Sequence, residues 1–422
     1  MLNSENWDWN VDERLIANLN SWKDKFKWVE EPQVSPDGEK IAAVVNINQG
    51  EFSVCINGQT WDNNFEKIWF FKFAPDGRAT ALVADTGEWT VAVDGIAWDN
   101  KFSYVWNTMF SQNGKNIAVA VQQDMEYCIA LNGAPWENSF ENISDTVLSP
   151  DGEKTAAVVQ SVALKEGAIF KFQEGVFTAA VNGKPWGNHF VNVWNPVFSP
   201  NSEKVAAEVR LNLYDYTIVV DGIPWEQTYD CVWEPIFNPA NYAVIAPVKV
   251  GGKWTLAEDG KIFWDARFVQ LWHQMFSPDS RKLAAIVAPK FGKWTIAVNC
   301  RPWAVTFGDY VTDAVFSPDS SRVAAIAGDK GKMLITVDGE VWSNSFDMAW
   351  KPVFSPDSKN MAVRVEKNGK YTIVLNNRLW EHQCDALWNP VFSTNGEKIL
   401  FRYIEEGKYF RKVISIGEIL QK

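Results

Sequence analysis

Histidine and cysteine are scarce in this chain, and their scarcity removes much of the usual chemistry. Three histidines, His189, His273 and His382, cannot build a histidine-rich metal site. Each falls in a link between strands at a different offset from the nearest tryptophan, so a solvated or packed ring is the expected state. The five cysteines, Cys55, Cys128, Cys231, Cys300 and Cys384, are odd in number and show no CxxC spacing. That excludes a CxxCH haem attachment and a cysteine-ligated iron–sulfur cluster. Lying mostly in strand patterns, they read as reduced, largely buried thiols of a cytoplasmic protein. No glycine-rich dinucleotide or phosphate loop is present, and no cofactor is expected. No apolar run approaches the ~20 residues of a membrane span. The opening residues MLNSENWDWNVDER lack the basic and apolar regions of a secretory signal. A formal charge of -12 leaves no surplus of Lys and Arg for an electrostatically held nucleic acid.

What the sequence has instead is tryptophan, 23 in 422 residues, and it is periodic. The segment WGNHFVNVWNPVFSP, residues 186 to 200, shows the frame: a Trp, an aromatic four residues on, often a second Trp eight residues on, then a turn of Ser-Pro-Asp-Gly type. Such turns start at Ser35, Ala74, Ser111, Ser149, Ser199, Asn238, Ser277, Ser317, Ser355 and Ser393, spaced by 37 to 40 residues with one interval of 50. A leading Trp accompanies every copy, at positions 22, 61, 98, 136, 186, 225, 264, 303, 342 and 380. A period of this size means stacked supersecondary units, each burying its core against its neighbours.

Within a repeat, Ile41 to Val45, Phe52 to Ile56, the segment carrying Trp61, and Ile68 to Phe73 read as strands. Asn-Gly or Asp-Gly stands between apolar runs at Asn57, Asp94, Asn132, Asn182, Asp221, Asp259 and Asp338, the preferred type I′ hairpin connection. Four short strands per repeat with two tight turns make the blade of a β-propeller. Seven residues after most turn starts lies an alanine, such as Ala42, Ala81 or Ala324, which leaves room for the large Trp of an adjacent blade. The fold class is therefore all-β, a single propeller of about ten four-stranded blades. The chain ends supply complementary fragments of one repeat, so the N-terminal strand is expected to close the ring by completing the last blade. Two five-bladed propellers breaking near Asn238 are the alternative. Residues 1–14 form an N-terminal extension, whose Trp7 and Trp9 are expected to dock on the barrel, and residues 15–422 the propeller.

The phrases VFSPNSEKVAAEV, residues 197 to 209, and VFSPDSKNMAVRV, residues 353 to 365, resemble the TolB-type and WD-repeat-like propeller repeat. That resemblance covers residues 15–420 and implies the fold but not the function. More narrowly, Trp-rich repeats in an acidic chain are similar to the family of tryptophan-rich cytoplasmic subunits of Tmc-type transmembrane electron-transfer complexes of sulfate-reducing bacteria. This likeness implies an accessory subunit, cytoplasmic and attached to the inner membrane through cytochrome and iron–sulfur partner subunits, without a redox centre of its own.

Two candidate binding features stand out. The second Trp of the frame, at Trp69, Trp106, Trp194, Trp233, Trp272, Trp350 and Trp388, falls at the start of the innermost strand and would line a channel rim. An aromatic rim suits a planar or apolar ligand or a partner's side chains. A regular set of indoles is also what duplication of a packing residue produces. The long interval places an insertion at residues 161–174, SVALKEGAIFKFQE, on the face where loops vary, with Leu164, Ile169, Phe170 and Phe172 exposed unless they cover something. A loop folded onto its own blade is the competing expectation. Carboxylates abound, but Asp37, Asp76, Asp151, Asp279, Asp319 and Asp357 sit in turns, where they accept local N–H bonds, and no catalytic pair is singled out. A non-catalytic interaction subunit of a larger protein complex is the leading functional expectation. A ligand-binding propeller using the Trp rim comes second, and a propeller hydrolase third.

Overall fold

In the computed structural model, which describes residues 4–164 and 169–421, the chain forms ten antiparallel sheets, the blades of a ten-bladed β-propeller. The fifth blade shows the plan, with strands Asn192–Phe198, Val205–Arg210, Tyr216–Val220 and Ile223–Pro224 hydrogen-bonded in sequence order. In three blades the first strand is broken in two, as in Cys231–Val232 and Ile236–Phe237. Each break contains a proline, Pro235, Pro352 or Pro390, which offers no N–H to the ladder. Asn238 to Asn241, where two smaller propellers would have parted, instead form the turn inside the sixth blade. The chain divides into two compact units at other points, one spanning 63–274 and the other 3–62 with 275–422.

Both turn types explain their sequence. At the seven Asn-Gly and Asp-Gly sites the first residue has φ of 43° to 53° and the glycine 76° to 93°. The Asn or Asp side chain has a second duty, since its Oδ1 accepts the N–H that opens the second strand, as from Ile41 to Asn57, 2.9 Å, and from Val205 to Asp221, 2.9 Å. Asn299-Cys300 and Asn376-Asn377 hold the same left-handed pair without glycine. In the Ser-Pro-Asp turns the serine hydroxyl donates to the carboxylate, 2.6 Å from Ser317 to Asp319, and accepts the N–H five residues on. This hydroxyl, with the Ser321 N–H, pulls the Asp319 carboxyl down to about 2.

The leading tryptophans pack between blades, as expected, but the close approach is to glycine. A Cβ on Gly133 would lie 3.4 Å from Trp98, one on Gly183 3.0 Å from Trp136, and one on Gly222 3.1 Å from Trp186. The hairpin glycine is thus required twice, by its positive φ and by the indole laid over it. Two residues after the Trp, an asparagine donates to the same glycine's carbonyl: Asn63 to Gly95, Asn100 to Gly133, Asn138 to Gly183 and Asn188 to Gly222, 2.8 to 3.0 Å. The alanine column is buried and joins cores shared by consecutive blades, Ala362 with Trp380 and Phe401, and Ala206 with Trp225 and Val244.

In the unit that includes residues 4–62 and 275–421, strand Asp12–Asn18 pairs antiparallel with Lys408–Ser415, Asp12 opposite Val413 and Asn18 opposite Lys408. The N-terminal strand therefore completes the last blade. The first-blade turn at Gly38 is gripped from that blade by three buried side chains. Tyr409 Oη donates to the Gly38 carbonyl at 2.9 Å, Arg411 Nε to the Asp37 carbonyl at 2.9 Å, and Arg402 Nη1 to the Ser35 and Pro36 carbonyls at 3.1 Å. Arg411 is wholly buried, with its Nε 2.9 Å from Glu39. The extension docks here too, Lys398 Nζ donating to the Trp9 carbonyl at 2.7 Å and Arg411 to that of Asp8. Beyond the last strand, Ile416–Gln421 is helical.

Removing Arg411 leaves the Asp37 and Asp8 carbonyls without this donor and Glu39 with Arg14 alone, and each orphaned acceptor costs about 1–3 kcal/mol. Arg411→Met is expected to lower the thermal midpoint strongly, whereas Lys412→Met, which breaks the exposed pair with Glu13, should cost under about 1 kcal/mol. Thermal unfolding of the two variants with equal midpoints would contradict the closure role.

Candidate functional site

The rim tryptophans sit opposite the middle of their blade's second strand, as six positions show. Trp69 faces Leu82, Trp106 faces Ala120 and Trp194 faces Glu208 in register, while the backbone N–H of Trp233, Trp350 and Trp388 donates to the carbonyls of Pro247, Arg364 and Arg402. Trp69 is 43% exposed and the other six are half-buried. Rim tryptophans also lie against an aromatic from the third strand of the same blade. The centroids are 4.7 Å apart for Trp69 and Trp89, 6.0 Å for Trp106 and Tyr127, 6.5 Å for Trp194 and Tyr216, and 4.5 Å for Trp233 and Trp254. Trp350 meets Tyr371 at 5.8 Å and Trp388 meets Tyr409 at 6.0 Å. Five of these partners, Trp89, Tyr127, Tyr216, Trp254 and Tyr371, stand five residues before a hairpin turn, as do Phe52, Phe177 and Trp294 in other blades.

The residue after the rim position is left-handed in six blades: Phe70, Asn107, Asp145, Asn195, His273 and Asp313, with φ of 45° to 53°. The ladder slips there, for example between Trp194 and Val197. Such bulges re-aim a side chain and cost about 1 kcal/mol or more at a non-glycine residue. At Asn195 the re-aimed amide donates from Nδ2 to Glu208 Oε1 at 2.5 Å.

Glu208 is the residue that sequence reasoning missed. The equivalent second-strand position elsewhere is Val44, Leu82, Ala120, Val158, Pro247, Ile286, Ile326, Arg364 or Arg402, so charge in an apolar column was the available signal. Glu208 is 8% exposed and lines a cleft of about 560 Å³ with Asn195, Trp233, Glu234, Trp272, His273 and Gln274. Burial pushes its carboxyl up to about 7. The Glu234 and Asp145 charges add to the rise, and the Asn195 hydrogen bond opposes it. Trp233 and Trp272 stack with centroids 6.3 Å apart.

In the other unit the same column carries cations. The Arg364 guanidinium lies 3.8 Å from the centre of the Trp350 ring and donates to the Leu387 carbonyl at 2.6 Å. Arg402 bonds only to carbonyls, those of Ser35, Pro36 and Asn389. Burial pulls both arginines below their ordinary pKa.

The insertion forms a helix, Ile169–Glu174, before the strand Phe177–Val181; Lys165 to Ala168 lie outside the described residues. Ile169 is 63% and Phe170 78% exposed, Leu164 is marginally exposed, and Phe172 turns inward, edge-on to Phe177 at 6.3 Å. The hairpin loop of the next blade presents Leu213 and Tyr214, 58% and 79% exposed, on a turn in which Asn212 Oδ1 accepts the N–H groups of Tyr214 and Asp215. Helix and loop flank a cleft of about 520 Å³ floored by Val191 and Arg210.

Among the described residues no three His, Cys, Asp or Glu side chains are placed to hold a metal ion. Cys55 and Cys128 are pushed up to about 11 and Cys384 to about 12, by burial foremost, which makes them poor nucleophiles. No described helix is long and apolar enough to cross a membrane.

Because the Glu208 carboxyl holds its proton more tightly in the folded chain than in the unfolded one, stability should fall as pH rises through the window from about 4.5 to 7. The loss is of order 3 kcal/mol. Glu208→Gln is expected to flatten this part of the pH profile and to unfold at a higher temperature than the parent at pH 8. Superimposable profiles of midpoint against pH would show that the carboxyl titrates normally.

No family model matches the chain, and no curated protein matches it. Among solved structures, one described as a crystal structure of the eukaryotic initiation factor is similar over 96% of this chain and 97% of that one, at 13% identity and a TM-score of 0.42. A likeness that distant carries no functional argument.

Proposed function

We propose that this protein is a non-catalytic interaction subunit that docks a protein partner through the apolar patch of helix Ile169–Glu174 and the loop at 211–215. The observation that carries the reading is four large, exposed side chains on two neighbouring blades, Ile169 and Phe170 on the helix and Leu213 and Tyr214 on the loop, of which Ile169, Leu213 and Tyr214 line one cleft. Isolated exposed apolar residues are ordinary, but a cluster on ordered loops marks an interaction site. Tyr and Phe supply large contact area at low entropic cost, and Arg210 at the floor, whose Nε is buried without a hydrogen bond, offers a polar anchor. In this reading the partners are cytochrome and iron–sulfur subunits of a membrane-attached electron-transfer complex, as the Trp-rich repeats suggest, and the chain contributes shape and contacts. Its acidic charge does not suit nucleic acid.

Affinity purification from solubilised membranes of the native source tests this. The parent protein should bring down stoichiometric partner subunits bearing haem and iron–sulfur groups. Phe170→Asp with Tyr214→Asp should reduce that recovery at least tenfold while leaving the thermal midpoint unchanged, since both side chains face solvent. The helix should also be cut by protease in the isolated protein and protected in the complex. Recovery of the parent alone, or unaltered recovery with the double variant, would overturn the proposal.

A further inference from the structure

The cleft above Glu208 is walled by aromatic and acidic groups and has no cation. Its lining contains Glu208 and Glu234 and neither Lys nor Arg. The groups facing Glu208 come from three other blades. Asp145 acts on it from the fourth, Glu234 and the Cys231 thiol from the sixth, and His273 lines the cleft from the strand beyond. The Lys249 ammonium is not part of the lining and lies 5.9 Å from the Trp254 ring. Among the described residues, Asn195 is the hydrogen-bond donor to Glu208, on Oε1, and Oε2 accepts none. A carboxylate 8% exposed, next to two further carboxylates and without a counter-ion, is penalised by folding alone.

The ninth blade shows what completes such a position. There the residue facing the rim tryptophan is Arg364, and its guanidinium rests 3.8 Å from the Trp350 ring. The fifth blade has a carboxylate at the same register, beside the indoles of Trp233 and Trp272, so charge and aromatic surface are supplied and the cation is not. We propose that this cleft is a binding site for an organic cation, a guanidinium or primary ammonium group, held by the Glu208 carboxylate against the indoles of Trp233 and Trp272. The volume of about 560 Å³ suits a ligand carrying several carbons besides its charged head. Free alkylguanidines and amines share this chemistry with the arginine or lysine side chain of a peptide. The site lies apart from the residues of the docking patch and does not depend on it.

Titration of the full-length protein with propylguanidinium, propylammonium and N-acetylarginine amide, followed by tryptophan fluorescence, tests the assignment. Saturable quenching is expected at pH 8, weaker by about tenfold at pH 6, because a carboxyl titrating near 7 is mostly ionised at the first and mostly protonated at the second. Glu208→Gln should lose at least tenfold in affinity together with the pH dependence, while Trp28→Leu, which removes an exposed indole of the other unit, should bind as the parent does. Tighter binding of the arginine amide than of propylguanidinium would point to a peptide side chain as the source, and the reverse order to a free small cation. Absence of saturable quenching up to about 50 mM, a range in which an ion pair backed by cation–π contact registers, would overturn the proposal. Equal binding by Glu208→Gln, or of the neutral isostere propylurea, would overturn it as well.

Discussion

An indole laid over a hairpin glycine is the contact on which the blades depend. A four-stranded sheet of this size cannot cover its own faces, so each must meet a neighbour closely enough to exclude water. The glycine of the Asn-Gly or Asp-Gly turn makes that approach possible, since a methyl group at Gly183 or Gly222 would lie 3.0 to 3.1 Å from the Cβ of Trp136 or Trp186 and 3.2 Å from the ring. Its carbonyl then receives the asparagine two residues beyond the same tryptophan. One short turn thus satisfies a backbone requirement, a packing requirement and a hydrogen bond. This explains why the motif repeats with so little change.

Against so regular a frame, departures carry the individuality of the molecule. The column facing the rim tryptophans is apolar in most blades, and its three charged members are Glu208, Arg364 and Arg402. Arg402 is consumed in clamping the first-blade turn, and Arg364 covers Trp350. Only Glu208 faces a cleft without an opposing charge. The inserted helix is the other departure, and it places apolar side chains in water beside a neighbouring loop that does the same. A repeat architecture tolerates such changes because each blade contacts its neighbours alone, so a local alteration does not propagate.

The closure shows how buried charge is handled where no repeat can supply the partner. Arg402, Arg411, Tyr403 and Tyr409 are buried in the last blade and reach Glu13, Asp37, Gly38 and Glu39, residues several hundred positions earlier. Burial and the adjoining Glu13 carboxylate hold the Tyr403 hydroxyl well above its ordinary pKa, so it stays a donor to that carboxylate. Such contacts are costly when half made, which favours complete pairing of the terminal strand.

Periodicity alone determined the blade count, the turn chemistry and the joining of the two ends, because Trp, Ser-Pro-Asp and Asn-Gly are local demands of backbone geometry and recur at fixed spacing. It also pointed to the rim tryptophans and to Phe170, though not to their surroundings. What only the tertiary structure decided is which side chains share an environment. Phe172 turns inward against Phe177 while Phe170 does not, and nothing in the run of the sequence separates them. Glu208, read along the chain, is one acidic residue among 52. It becomes distinct only when the bulge at Asn195 and the neighbouring blades bring an amide, two carboxylates and two indoles around it, since desolvation and charge repulsion depend on distance through space.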